Sequence, residues 1–153
     1  MQHISLSEFA DKINEIMPVI AKEFIRQQTN ELFKGKITLP QFFILEFLYQ
    51  RNDARMSDLA KFMRVTTAAM TGIVDRLVRD NYAIRVYDPK DRRIIKIKLT
   101  DKGNTLVKKI NEQRRKMVID TFAKVSEFDR QQYLRILLKI KDILTKEKEM
   151  QLP

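Results

Sequence analysis

Apolar residues near the start of the chain fall at steps of three and four: Leu6, Phe9, Ile13, Ile16, Ile20 and Phe24. That period sets them in one stripe of an α-helix over about 5–31. Ser5 and Glu8 fit a capping box, and Pro18 implies a kink because it lacks a backbone donor. Gly35 and Lys36 mark a loop. A second helix opens at Thr38-Leu39-Pro40-Gln41, where Thr38 can cap, Gln41 can reach back and Pro40 tolerates the first turn. Its buried face is predicted as Phe43, Ile44, Phe47 and Leu48, and Arg51 to Ala54 breaks it. Ser57 is predicted to cap a short helix from Asp58 to about Met63, with Leu59, Phe62 and Met63 inward. Arg64-Val65-Thr66 is long enough only for a tight connection. Thr66 or Thr67 caps the next helix, which runs to about Asp80. Its inner face is Met70, Ile73, Val74 and Leu77, and its outer face Thr67, Ala68, Thr71, Gly72, Asp75 and Arg76. Asn81 tolerates the left-handed conformation of a helix end.

After Asn81 the period drops to two. Ala83, Arg85 and Tyr87 alternate with Tyr82, Ile84 and Val86. Ile95, Ile97 and Leu99 alternate with Ile94, Lys96 and Lys98. Between them lies Asp88-Pro89-Lys90-Asp91-Arg92-Arg93, rich in turn formers, so the segment reads as a β-hairpin with a protruding charged tip. Thr100 to Gly103 starts a further helix with Leu106, Val107, Ile110, Met117, Val118 and Phe122 inward. Ser126 to Asp129 caps a last helix carrying Tyr133, Leu137, Ile140 and Leu144 in a stripe.

The expected class is mainly α (α+β): a helix-turn-helix followed by a wing over 38–99, flanked by long helices in 1–37 and 100–153. Only three glycines and four prolines interrupt 153 residues, which suits long helices. The chain has 30 Lys and Arg against 20 Asp and Glu, a net charge of +10. Such an excess points to a polyanion, either nucleic acid or an anionic membrane surface. No cysteine is present, so disulfides, thiolate catalysis, thiol redox sensing and cysteine-ligated zinc are excluded. The one histidine is His3, which leaves a histidine metal site or a Ser-His-Asp triad without its parts. No apolar run reaches the roughly 18 residues of a membrane span, and the first residues do not read as a secretory signal. A cytoplasmic location, no cofactor, no metal and no enzymatic activity are the expectations.

A helix, a three-residue connection, a second helix and a hairpin are the parts of a winged helix-turn-helix. The major groove of duplex DNA, about 12 Å wide, admits one α-helix. Small residues on the outer face of the 67–80 helix would let its backbone approach base edges. Gly72 costs on the order of 1 kcal/mol against Ala in a helix interior, so it wants a reason: close approach to DNA, or helix–helix packing. Candidate DNA-contacting residues are Ser57, Thr66, Thr67, Ala68, Thr71, Gly72, Arg76, Lys90, Arg92 and Arg93. Asp91 is expected to orient Arg93 or Arg76. Leu6, Phe9, Ile13, Tyr133, Leu137, Ile140 and Leu144 need burial that a symmetric second copy would supply. The run Arg114-Arg115-Lys116 with Lys108 and Lys109 reads as a solvated helix face.

Three segments resemble the multiple-antibiotic-resistance regulator (MarR) family. They are Ser57-Asp58-Leu59-Ala60, Thr71-Gly72-Ile73-Val74-Asp75-Arg76-Leu77, and Asp88-Pro89-Lys90-Asp91-Arg92-Arg93 running into Lys98-Leu99-Thr100-Asp101-Lys102-Gly103. The last is the most specific: an Asp-x-Arg wing, a strand, then Leu-Thr-x-x-Gly opening a helix. Asn81 stands where the family usually has Gly. The resemblance implies a homodimeric regulator of transcription, with the first and last helices interlocked and two recognition helices on a pseudo-palindrome. It makes Arg93 the minor-groove arginine. It also implies a possible small-molecule effector, commonly an aromatic anion; by location Phe24, Phe43, Phe47 and Arg51 are the candidates. Two other readings remain open: a winged-helix module that docks an acidic protein, and an amphipathic helix lying on anionic lipid.

Overall fold

The structure is a computed structural model that describes residues 4–27 and 37–149. His3, Gly35 and Lys36 lie outside the described residues. Among those described, helix α1 spans Leu6–Gln27, α2 Leu39–Arg51, strand β1 Asp53–Arg55, α3 Met56–Met63 and α4 Thr67–Arg79. Strands β2 (Ala83–Tyr87) and β3 (Ile95–Leu99) and helices α5 (Asp101–Phe122) and α6 (Glu127–Glu149) follow. The chain divides into two compact units, residues 1–114 and 115–153, with the division inside α5.

In the first unit, the side chains of Ile44, Leu45 and Leu48 from α2, Leu59 from α3, Met70, Val74 and Leu77 from α4, Ile97 from β3 and Val107 and Ile110 from α5 are fully enclosed. Each large apolar side chain removed from water in this way contributes about 1.5–3 kcal/mol. The core reaches past Leu99 into the first half of α5. On α2 the buried arc is Gln41, Phe42, Ile44, Leu45 and Leu48, so Phe42 and Leu45 take the inward places expected of Phe43 and Phe47. Phe43 is exposed, and Phe47 is half-buried against the exposed Phe62 ring at 4.5 Å. Ala60 on α3 is buried in place of Phe62. On α5, Leu106, Val107, Ile110 and Met117 are buried as expected, but Val118 is exposed.

Local capping chemistry sets most of the boundaries. Glu8 accepts from the Ser5 backbone N–H at 2.9 Å, and Ser5 Oγ accepts from the Glu8 N–H at 3.2 Å. Thr38 and Gln41 form the second reciprocal box. Helix α3 starts two residues earlier than expected. Ser57 lies inside its first turn, and the cap is made by Asp58 reaching back to the Arg55 backbone N–H at 3.1 Å.

The sheet has three antiparallel strands in the order β1-β3-β2. The hairpin register pairs Ala83 with Leu99, Arg85 with Ile97 and Tyr87 with Ile95. The segment expected only to break α2 forms β1, with Ala54 opposite Ile97. The reason is packing: Ala54 completes the buried face beside Ile97, and both are enclosed.

Within the second unit, Ser126 Oγ accepts from the Asp129 N–H at 3.1 Å and caps α6. The Arg130 guanidinium donates to the carbonyls of Phe122 and Val125, at 3.1 and 2.6 Å, and closes the turn before it. Tyr133, Leu137, Ile140 and Leu144 are all exposed on α6, as are Leu6, Phe9 and Ile13 on α1. Among the described residues no helix is long and apolar enough to cross a membrane.

Candidate nucleic-acid interface

Helices α3 and α4 are joined by Arg64, Val65 and Thr66. Arg64 adopts the left-handed conformation (φ 54°), and its N–H donates to the carbonyls of Ala60 and Lys61. For a residue other than glycine that conformation costs on the order of 1 kcal/mol. It turns the chain sharply enough for Thr66 to cap α4, its Oγ1 accepting from the Ala69 N–H at 3.2 Å. Thr67, Ala68 and Gly72 are exposed on the outer face of α4, and Thr71 is half-buried. The Thr71 hydroxyl donates to the Thr67 carbonyl at 2.8 Å, so its proton is already satisfied within the helix. A Cβ built on Gly72 meets nothing within 4 Å. Helix–helix packing within the described chain therefore gives no reason for that glycine.

The end of α4 is tied to the wing and to α5. Asn81 takes the left-handed conformation (φ 61°), as expected of a residue that ends a helix. Thr100 Oγ1 donates to the Asn81 carbonyl at 2.7 Å and accepts from the Gly103 N–H at 3.0 Å. The Thr100 N–H donates to the Tyr82 carbonyl at 3.1 Å. Lys102 Nζ donates to the Asp80 carbonyl at 2.8 Å and stands 4.4 Å from the centre of the Tyr82 ring. Further along, Arg85 of β2 pairs with Asp75 of α4 at 2.6 Å, a contact the sequence pattern did not suggest.

At the wing tip, the main chain closes through Asp88 N–H to the Ile94 carbonyl at 2.9 Å and Ile94 N–H to the Asp91 carbonyl at 3.0 Å. Asp88 Oδ1 accepts from the Lys90 N–H at 2.8 Å, and Asp91 Oδ1 from the Arg93 N–H at 2.9 Å. Asp91 thus engages the backbone of Arg93, and among the described residues no ion pair joins it to Arg93 or Arg76. The Lys90 N–H and then the Lys96 ammonium hold the Asp88 carboxyl below the usual aspartate range, and Asp88 in turn raises Lys96. Lys90, Arg92 and Arg93 are exposed, as are Arg76 on α4 and Ser57 on α3. Among the described residues no carboxylate pairs with Arg76, Arg92 or Arg93.

Of the effector candidates, Phe43, Phe47 and Arg51 follow one another at steps of four along α2, and Phe24 lies on α1. Phe47 packs against Phe62 with the ring planes tilted by 36° and lies 5.0 Å below the Arg51 guanidinium, Phe43 is exposed 6.4 Å from Phe42, and Phe24 is half-buried on α1. In the run 114–116, Arg114 pairs with Glu46 at 3.3 Å and covers the Phe42 ring at 5.7 Å, so it is not simply solvated.

Residues 37–95 match the family model described as MarR family. The HTH-type transcriptional repressor MdtR of Bacillus subtilis is 29% identical over 107 residues, 70% of this chain and 69% of MdtR. A solved MepR-like protein is 30% identical, covers 94% of this chain and 97% of its own, and superposes with a TM-score of 0.54. A Staphylococcus aureus MepR–DNA complex is 25% identical, covers 86% of this chain and 98% of its own, and reaches 0.71. With the winged-helix architecture, these likenesses show that the chain belongs to the MarR family and is a DNA-binding regulator of transcription rather than an enzyme.

Proposed function

We propose that the protein is a homodimeric, sequence-specific repressor. Helix α4 of each protomer enters a major groove, and each β2–β3 wing enters the neighbouring minor groove. The observation that carries this reading is the pair Arg92 and Arg93. Both are exposed and, among the described residues, without a carboxylate partner, on a turn whose backbone is pinned by Asp88 and Asp91. An arginine held on so thin a loop fits a minor groove, about 6 Å wide, where narrow A·T-rich stretches concentrate negative potential. Thr67, Ala68, Thr71 and Gly72 would face base edges. With its proton satisfied by Thr67, Thr71 offers a methyl group, which suits contact with a thymine methyl. Ser57, Thr66, Arg76 and Lys90 would hold phosphates.

The exposed stripes of α1 and α6 support the dimer, because a symmetric partner would cover them. Two recognition helices would then lie about 34 Å apart, one helical turn of DNA. Repression follows the description of MdtR and the exclusion of other proteins from an occupied site. The direct test is sedimentation together with a titration of duplexes selected from a random library, at low ionic strength. Dimers that bind a pseudo-palindromic subset are expected. Single chains that ignore every duplex overturn the reading. Repeating the selection with small aromatic carboxylates tests for a ligand response.

Two variants separate the parts. Gly72→Ala should raise thermal stability by up to about 1 kcal/mol, since the added methyl group meets open space. The same methyl would stand between α4 and the base edges, so duplex affinity should fall tenfold or more, as a mismatched contact of about 1–3 kcal/mol does. A gain in stability with unchanged affinity removes Gly72 from the interface. Leu137→Glu with Ile140→Glu should shift sedimentation from dimer to single chains while the first unit stays folded, because both side chains are exposed within one chain. A dimer that survives both charges places the interface elsewhere.

A further inference from the structure

One side chain of the wing neither belongs to the core nor points from the tip, and it is tied to two carboxylates. Lys96 of β3 places Nζ 3.0 Å from Asp88 Oδ2 and 3.6 Å from Asp53 Oδ1. All three side chains are partly shielded, at 26%, 15% and 31% exposure, and the neighbouring Lys98 lies 3.9 Å from the other Asp53 oxygen. They line a cleft of about 320 Å³ with Val86, Tyr87, Pro89 and Lys90. Asp53 is on β1, which is fixed to β3 through Ala54 and Ile97. Asp88 opens the wing turn and holds the Lys90 N–H with its other oxygen. A continuous path therefore runs from the anchored edge strand, through one ammonium, to the residue that shapes the tip.

We propose that Lys96 is a positioning residue for DNA recognition: by bridging Asp53 and Asp88 it braces the wing turn, so that Arg93 meets the minor groove already ordered. This rests on the DNA-binding reading above and adds a residue that does not itself touch DNA. Exposed ion pairs do little, but this ammonium is shared by two carboxylates in a shielded cleft, and geometry of that kind holds a shape better than a lone surface pair. Its effect on binding comes from the ordering of the wing that need not be repeated on each encounter. Lys96→Met keeps the length and the apolar stem and removes the ammonium, while Lys96→Arg keeps a cation able to face both carboxylates.

The experiment is a double-mutant cycle on a duplex selected from a random library, with wild type, Lys96→Met, Arg93→Ala and the double variant. Lys96→Met is expected to weaken binding about fivefold in the wild-type background and by less than twofold beside Arg93→Ala, and Lys96→Arg to restore most of the loss. Hydrogen exchange in the free protein gives the second readout. Amides of Lys90 and Arg93 should exchange several-fold faster in Lys96→Met, with those of the core helices unchanged. Equal losses in both backgrounds would mean that Lys96 acts independently of the arginine and would overturn the proposal. So would wild-type affinity together with unchanged exchange at the tip. A wild type that binds the duplex while Lys96→Met matches it in both affinity and tip exchange sinks the brace alone, and a wild type that binds no duplex sinks the DNA-binding reading with it.

Discussion

Gly103→Ala should lower the stability of the protein by about 3 kcal/mol or more, a fall in Tm of roughly 6–12 °C for a chain of this size at matched concentration. A Cβ built at this position overlaps the Tyr82 carbonyl oxygen and lies 3.1 Å from its carbon and 3.3 Å from Leu99 Cδ2. The first two atoms are backbone, and neither can swing away. Tyr82 is held from both sides: its N–H donates to the Leu77 carbonyl at 2.8 Å and its carbonyl accepts from Thr100. To make room, α5 must move off the end of α4, which strains the Thr100 bonds to Asn81 and Gly103 and the Lys102 bond to Asp80. Alanine is otherwise the better helix former by up to about 1 kcal/mol, so the prediction has a built-in control. The same substitution at Gly72 should act in the opposite direction. A Gly103→Ala protein that melts with the wild type would show that the junction between the wing and α5 yields more easily than its backbone contacts imply.

That contrast shows which parts of the molecule a sequence discloses. Gly72 and Gly103 are alike on the page of letters, and only the three-dimensional neighbourhood says that one faces open space and the other a carbonyl. The Leu-Thr-x-x-Gly motif could be read as a helix start, and its Thr100 cap is indeed local. The reason for its glycine is the backbone of Tyr82, about twenty residues away. The wing and the helix-turn-helix were legible because a change of period from 3.6 to 2 and a cluster of turn residues are local facts. Helix α2 was legible in extent but not in orientation. It carries Leu39, Phe42, Phe43, Ile44, Leu45, Phe47 and Leu48 within one short span, so apolar positions surround it, and the choice of Phe42 over Phe43 is made by partners from other elements. Strand β1 has one inward residue, Ala54, and becomes a strand only by pairing with Ile97. At the candidate interface, the exposed arginines of the tip could be named from sequence. The Asp75–Arg85 pair and the Lys96 bridge could not, since each joins residues whose proximity is a product of sheet register and helix packing.

If a dimer neutralises about eight phosphates, the logarithm of its affinity should fall against the logarithm of salt concentration with a slope of about −7. Between 50 and 200 mM salt this is a loss on the order of ten-thousandfold, the largest effect expected of any condition or substitution considered for this protein. The ground is electrostatic: each protomer carries +10, and among the described residues no carboxylate pairs with the tip cations Lys90, Arg92 and Arg93, so they have none to surrender before they meet a phosphate. Lys96 and Arg85 differ, because each is paired within the protein and should release few counterions of its own. Arg93→Ala should weaken binding on all sequences and flatten the slope by about one for each wing engaged. Thr67→Ala and Thr71→Ala should leave the slope as it is and change which duplexes are preferred, because contacts to base edges select sequence whereas contacts to phosphates fix position. A slope near zero would mean that the positive charge of the chain serves some other partner. An Arg93→Ala variant with an unaltered slope and affinity would confine DNA contact to the helix-turn-helix, leaving the wing tip outside the complex.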